Sequence, residues 1–300
     1  MKATFIISSE RPAGCKEASV KDRFSSIATA IPSSRSLTPT SFRSAGSWDE
    51  ITKIASMKIW AIPGFLGLAS DWDHLTLPNL KKVDPFVFPW SSPAEWGSSF
   101  NHCVQKERGN PNLIMGYSLG GRLALHALVD HPDLWDGAVI VSAHTGMACE
   151  LDKAKRFKND QRWADRFLHE EWDQMLRDWN AQSVFQPETF HFTRNEMDFN
   201  REELAHTLIY ASQGLQRDLK ASIEALNLPQ LWIVGEYDQR YATLAQGLTL
   251  RHPLSCVVVL PGACHRIPWS HPEIYQDLVW RWLRTCLKLS DQTFQTGSYS

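Results

Sequence analysis

The chain has 300 residues, 43% hydrophobic and 21% charged, enough apolar material for a sizeable core and too much for global disorder. Thirty-one basic residues against 33 acidic ones give a formal charge of −2, so no overall basic field recruits nucleic acid. Six cysteines, at 15, 103, 149, 256, 264 and 286, include no C-x-x-C pair, and no apolar run approaches the roughly 20 residues that cross a bilayer; neither a zinc knuckle, a disulfide framework nor a membrane anchor is expected.

Residues 1–56 differ from the rest of the chain. They hold twelve serines, several prolines and no sustained apolar period, with eight bases against five acids. The expectation is a poorly ordered extension. A transit peptide for an organelle and a reading frame that begins too early are the other readings, because Met57 stands just before the first convincing strand. Without a leader, the low cysteine content favours the cytoplasm.

From Met57 onward the pattern alternates strand, loop and helix. KIWAIPGFLG (58–67) reads as a buried strand entering a glycine-bounded loop. DPFVFPW (84–90) is a weaker strand candidate because of its prolines. NLIMGYS (112–118) is a strand ending in a glycine turn, and LGGRLALHALVDHP after it has helical spacing, with Leu123, Leu125, Leu128 and Val129 on one side. AVIVSAH (138–144), QLWIVGE (230–236) and CVVVLPG (256–262) are three more short strands. Such runs, flanked by helices, predict an α/β fold with a mostly parallel sheet covered on both faces. The block 147–225 interrupts the alternation. Residues 150–181 are charged, Trp-rich and helical in period, residues 201–225 give another helix, and no strand intervenes. A helical cap over the carboxyl edge of the sheet is the expected arrangement. The folded domain is thus 57–288, followed by a flexible polar tail, 289–300.

Gly116-Tyr117-Ser118-Leu119-Gly120 is a G-x-S-x-G motif between a strand and a helix, the context of a nucleophile elbow. The tight turn leaves no room for a Cβ at 116 or 120. It places Ser118 at a helix N-terminus, where backbone N–H groups favour developing negative charge. A serine hydroxyl needs an imidazole to take its proton and a carboxylate to orient the imidazole. Asp238 follows the strand at 230–236 and His265 follows the strand at 256–262, so all three groups belong to one sheet edge in the order Ser, Asp, His. The backbone N–H groups of Leu119 and of Phe65, in the Pro63–Gly67 loop, are the candidate oxyanion donors.

GYSLGGRLAL (116–125), the stretch 159–185 and the stretch 212–245 together resemble the 2-succinyl-6-hydroxy-2,4-cyclohexadiene-1-carboxylate synthase family, lyases of the α/β-hydrolase superfamily, over residues 57–287. The resemblance implies an α/β-hydrolase fold, menaquinone biosynthesis, and elimination of pyruvate from 2-succinyl-5-enolpyruvyl-6-hydroxy-3-cyclohexene-1-carboxylate. In that reaction Ser118 acts as a base rather than as an acyl acceptor. It implies no metal and no organic cofactor. The substrate is a small polyanion, and arginines grip carboxylates in a bidentate fork. Arg122, one turn after Ser118, and Arg156 match family positions that bind carboxylates. Tyr117 and Trp179 match pocket positions, and Arg194 is the nearest candidate for a third arginine. Two departures bear on specificity: Pro63-Gly64 stands where the family has His-Gly, and FPWSSPAEWGS (88–98) replaces a Pro-Gly-His-Gly stretch. A carboxylic-ester or thioester hydrolase acting through an acyl-enzyme is the competing enzyme reading, and a non-catalytic binding protein of the same fold is the competing class. Oligomeric state is left open.

Overall fold

Short apolar runs bounded by glycine and proline pair side by side. In the computed structural model, which describes residues 48–86, 89–187 and 190–289, they form one six-stranded sheet: β1 Lys58–Ile62, β2 Leu80–Lys82, β3 Asn112–Tyr117, β4 Gly137–Val141, β5 Gln230–Gly235 and β6 Cys256–Leu260. All neighbours are parallel, in the order β2-β1-β3-β4-β5-β6. The central strands β3, β4 and β5 are buried at every position, as a parallel sheet covered on both faces requires. Alternate side chains serve two cores. Ile114, Ile140, Trp232 and Val234 pack on one face against α2 (Pro93–Lys106) and α3 (Leu119–Asp130). Leu113, Met115, Val139, Val141 and Ile233 pack on the other against Tyr275, Val279 and Leu283 of the C-terminal helix Pro272–Leu287.

The weak strand candidate at 84–90 is not a strand in its described part. Val83 donates to the Ala61 carbonyl, after which Asp84–Phe86 turn away. Pro85 has no N–H for a ladder, and its carbonyl instead accepts from the indoles of Trp90 and Trp96 at 3.1 and 3.0 Å. Residues 87 and 88 lie outside the described residues. The edge strand is the earlier Leu80–Lys82, whose two lysines are exposed and blunt the edge.

The expected disorder of 1–56 also needs correction at its end. Trp48–Ser56 is a helix, α1, fastened to the sheet by the Ser56 hydroxyl on the Asn110 carbonyl at 2.6 Å and by the Asn79 amide on the carbonyls of Ile54 and Ala55. Residues 1–47 and the tail from 290 lie outside the described residues. Leu289, assigned to that tail, is buried. Helix α3 is not one-sided: every residue from Leu119 to Leu128 is buried between the sheet and its neighbours.

Among the described residues between β4 and β5 run four α-helices: α4 Glu150–His169, α5 Trp172–Asn180, α6 Arg201–Tyr210 and α7 Lys220–Ala225. Glu171 caps α5 by accepting from the N–H groups of Asp173 and Gln174. The helix expected over 201–225 is two helices. The chain leaves α6 at Ala211 so that Ser212 can donate to Asp160 at 2.7 Å and the Leu219 N–H can reach the Thr145 carbonyl. Phe167, Trp172, Met175 and Leu204 give this insertion its own core, joined through Leu66 to the loop after β1.

A Cβ at Gly120 would come within 2.3 Å of the carbonyl oxygens of both Ile62 and Pro63. Gly120→Ala is therefore expected to lower unfolding free energy by about 1–3 kcal/mol, the usual cost of overpacking. Urea denaturation measures this, and an unchanged midpoint would contradict the close approach.

Candidate active site

The site lies where the strand order reverses. β1 leads outward to β2 while β3 leads to β4, so the loops after β1 and β3 diverge and leave a crevice at the carboxyl edge. Pro63–Gly67 fills one side as a tight turn, with the Gly67 N–H on the Gly64 carbonyl at 3.0 Å and Leu66 at φ 58°. Ser118 fills the other, at φ 52° and ψ −110°. Its N–H is held by the Val141 carbonyl at 2.9 Å, and its own carbonyl accepts from Arg122 N–H, the opening bond of α3. A Cβ at Gly116 would strike the Gly120 carbonyl at 2.4 Å, so the strand and helix meet this closely only with glycine there.

Asp238 and His265 arrive on adjacent loops stitched together by backbone bonds. Glu236 N–H donates to the Leu260 carbonyl and Tyr237 N–H to the Ala263 carbonyl, each at 3.0 Å. The result is a hydrogen-bonded chain. His265 Nε2 is 2.9 Å from Ser118 Oγ, and His265 Nδ1 is 2.6 Å from Asp238 Oδ2. Imidazole and carboxylate are both buried. Tyr117, Phe185 and Tyr241 pack their rings around the imidazole, with centroids 5.4, 5.7 and 4.9 Å away. Such a chain can draw the proton from Ser118 Oγ while the carboxylate fixes the tautomer and offsets the imidazolium charge. Leu119 is the first residue of α3, where N–H groups have no intrahelical acceptor. Phe65 lies across the crevice from it, its ring between Phe167 and Trp179 of the cap.

Two cavities meet at Ser118. The larger, of about 520 Å³, brings together Ser118, Leu119, Phe65, Arg122, Arg156, Trp179, Asp238 and His265. The smaller, of about 60 Å³, is lined by Tyr117 and Arg194 and shares Phe65, Ser118, Trp179 and Phe185. Eight of the ten residues anticipated from sequence thus face one cavity, and the other two face its neighbour. Arg194 does not join Arg122 and Arg156. It forms a bidentate pair with Asp71 at 2.9 and 2.6 Å and lies 4.0 Å from the Phe192 ring centroid, so its charge is already matched.

Arg122 is buried, with Nη1 on the Ala211 carbonyl at 2.5 Å and on Gln216 Oε1 at 3.0 Å. Burial, reinforced by the charge of Arg156, lowers its pKa to about 10, so it remains a cation at neutral pH. Arg156 Nε reaches both oxygens of the buried Asp160 at 2.9 Å. Burial pulls its pKa down, but the Asp160 charge and the Tyr241 hydroxyl outweigh burial and the net shift is upward.

Sequence reasoning missed three contributors. Arg240, two residues past Asp238, and Gln213 line the larger cavity. Arg266, next to His265, is buried and ties the cap to the histidine loop. It donates to the Phe190 carbonyl at 3.0 Å and Asn180 Oδ1 at 2.5 Å, contacts His191 Nδ1 at 2.9 Å, and lies 3.9 Å from the Phe185 ring centroid. Only the position of Arg266 beside His265 could have signalled it.

The model of the hydrolase family described as serine aminopeptidase, S33, matches residues 96–268, more than half of the chain. The chain belongs to this α/β-hydrolase family. Curated relatives of this chain include the 2-succinyl-6-hydroxy-2,4-cyclohexadiene-1-carboxylate synthases of Salmonella typhimurium and Salmonella enteritidis, each 36% identical over 137 residues, 44% of this chain and 54% of theirs. The chain therefore spans about half the length of the curated relatives it matches. Among solved structures, MenH from S. aureus superposes with a TM-score of 0.69 at 16% identity, covering 77% of this chain and 95% of that one. A thermophilic esterase from Thermogutta terrifontis gives 0.56 at 16% identity, over 77% and 91%. These likenesses concern the fold: a parallel sheet with its helices. No helix among the described residues is long and apolar enough to cross a membrane.

Two buried histidines behind the site respond to acid. Burial, then the charges of Arg122 and Arg217, lowers His126 from 6.5 to about 4; burial, then Arg240, Arg122 and Arg156, lowers His144 from 6.5 to about 3. The unfolded chain takes up these protons near pH 6.5 and the fold resists them, so stability is whole above that pH and falls as pH drops toward the folded values. Melting temperature is expected to decline between pH 6.5 and about 4, and less steeply in His126→Leu, because His126 Nε2 is buried with no partner among the described residues. An identical decline in that variant would contradict the assignment.

Proposed function

We propose that this chain is a carbon–oxygen lyase of menaquinone biosynthesis, eliminating pyruvate from 2-succinyl-5-enolpyruvyl-6-hydroxy-3-cyclohexene-1-carboxylate. The observation that carries the reading is the junction of the Ser118–His265–Asp238 chain with a cavity lined by Arg122, Arg156 and Arg240. A neutral ester needs no such lining, whereas a substrate with three carboxylates does. The matched relatives, named for the product of this elimination, support it.

In this mechanism His265 Nε2 takes the Ser118 hydroxyl proton, and Oγ takes the acidic ring proton. The C–H electron pair moves through the ring, the bond from ring carbon to enolpyruvyl oxygen breaks, and the leaving oxygen carries the pair away as the enolate of pyruvate, which is then protonated. Charge that builds on the substrate meanwhile is met by the N–H groups of Phe65 and Leu119. The elimination is redox-neutral and consumes no second substrate, so the reading calls for no cofactor. The same reading places the enzyme in the cytoplasm, with import into an organelle the alternative if residues 1–56 are a cleaved leader.

The family match also favours a second reading, hydrolysis of an ester or thioester through an acylated Ser118. The two part on turnover. The lyase reading predicts pyruvate release from the enolpyruvyl substrate, slow turnover of p-nitrophenyl esters, and a loss of about 10³-fold or more in Ser118→Ala. Brisk ester turnover with no pyruvate released would favour the hydrolase.

Arg122→Ala is expected to lower kcat/KM for the carboxylate substrate by about 100-fold, well beyond its effect on a neutral ester. Equal losses on both substrates would assign Arg122 to structure instead of charge recognition.

A further inference from the structure

Two guanidinium groups of like charge converge on one neutral atom. Arg156 Nη1 and Arg240 Nη2 both donate to Gln213 Oε1, each at 3.3 Å. Gln213 is buried, and its amide nitrogen donates to the Tyr241 hydroxyl at 3.2 Å, which fixes the direction of the shared oxygen. The two arginines come from distant parts of the chain. Arg156 belongs to cap helix α4, and Arg240 to the first turn of the helix Gln239–Gln246 that begins beside Asp238.

The cation count is unbalanced. Arg156 has Asp160, but Arg240 has no carboxylate partner among the described residues, and the Nη1 bonds of Arg122 go to a carbonyl and an amide. The other carboxylate lining this cavity, Asp238, is bound to His265. Like charges this near repel, and one long bond each to a shared amide oxygen offsets little of that. A carboxylate laid against the pair would accept from both, in the planar geometry that guanidinium groups favour. Arg240 is exposed at the cavity mouth, whereas Arg122 is buried deeper.

We propose that Gln213 holds Arg156 and Arg240 as a two-arginine carboxylate clamp at the cavity mouth, apart from Arg122, so that the site selects ligands bearing two separated carboxylates. The clamp rests on the lyase reading for its natural ligand, not for its chemistry. Within that reading it makes Arg240 a specificity residue. It also makes a bound carboxylate a bridge between the cap and the Asp238 loop.

The experiment titrates the full chain with succinate, glutarate and adipate by calorimetry, in wild type, Arg240→Gln and Arg240→Lys. At least one dicarboxylate is expected to bind the wild type, and the tightest to lose about tenfold or more in Arg240→Gln. Arg240→Lys is expected to fall between, since an ammonium keeps the charge and lacks the fork. In the pyruvate-release assay Arg240→Gln is expected to raise KM by a larger factor than it lowers kcat. Dicarboxylate binding within twofold of wild type in Arg240→Gln would overturn the clamp, as would no dicarboxylate binding to wild type. Binding that needs Arg240 in a protein that releases no pyruvate would uphold the clamp and remove the lyase assignment alone.

Discussion

Ser118 holds φ 52° and ψ −110°, a backbone conformation that costs a non-glycine residue about 1–3 kcal/mol and persists only where the surroundings over-determine it. Here they do. Its N–H is locked to β4 through Val141, and Gly116 and Gly120 let strand, helix and the loop after β1 approach until no Cβ would fit. Relaxing the turn would swing Oγ off the His265 imidazole. The three anticipated groups share one sheet edge because each lies just beyond a parallel strand, and parallel strands direct their following loops to the same side.

Charge is the second constraint. Placing guanidinium groups in a partly buried cavity is costly unless hydrogen bonds and counter-charges compensate. The cap supplies part of that compensation through Asp160, Gln213, Gln216 and the carbonyl of Ala211. Among the described residues it stops short of neutrality, and under the lyase reading the remainder is met by the substrate's carboxylates. Two nearby imidazoles, His126 and His144, are held neutral by burial and by neighbouring arginines, Arg122 acting on both. The cap thus shapes the cavity through its charges and through its aromatic wall of Trp163 and Trp179, backed by Phe167. Arg266 fastens that wall to the loop bearing His265, so cap position and imidazole position are linked.

Much of this was legible before any coordinates. Five of the six strands are apolar runs with glycine or proline beside them. Ser118, Asp238 and His265 stood out because each follows such a run. The sixth strand was not legible, since Leu80–Lys82 has three residues, two of them lysine, and exists only through its register with β1. The run at 84–90 misled because its apolar content matched a strand while Pro85 cannot donate to a ladder. Helix α1 was overlooked among serines although Ile51 and Ile54 share helical spacing. Arg240 and Gln213 carry no local signal: 27 residues separate them in sequence, and only the fold places one amide oxygen within reach of two arginines. Arg194 shows the reverse limit, where a matching residue type near the expected place found its own carboxylate, Asp71.

The most direct test of the account is the rate at which a serine-directed phosphonate modifies the protein, followed by mass spectrometry, in wild type and in His265→Ala. The measurement is indifferent to whether Ser118 acts as base or as acyl acceptor. Activation of Oγ through His265 Nε2 predicts a single adduct on Ser118 that forms at least about 100-fold more slowly without the imidazole. An adduct elsewhere, or the same rate with and without His265, would contradict it.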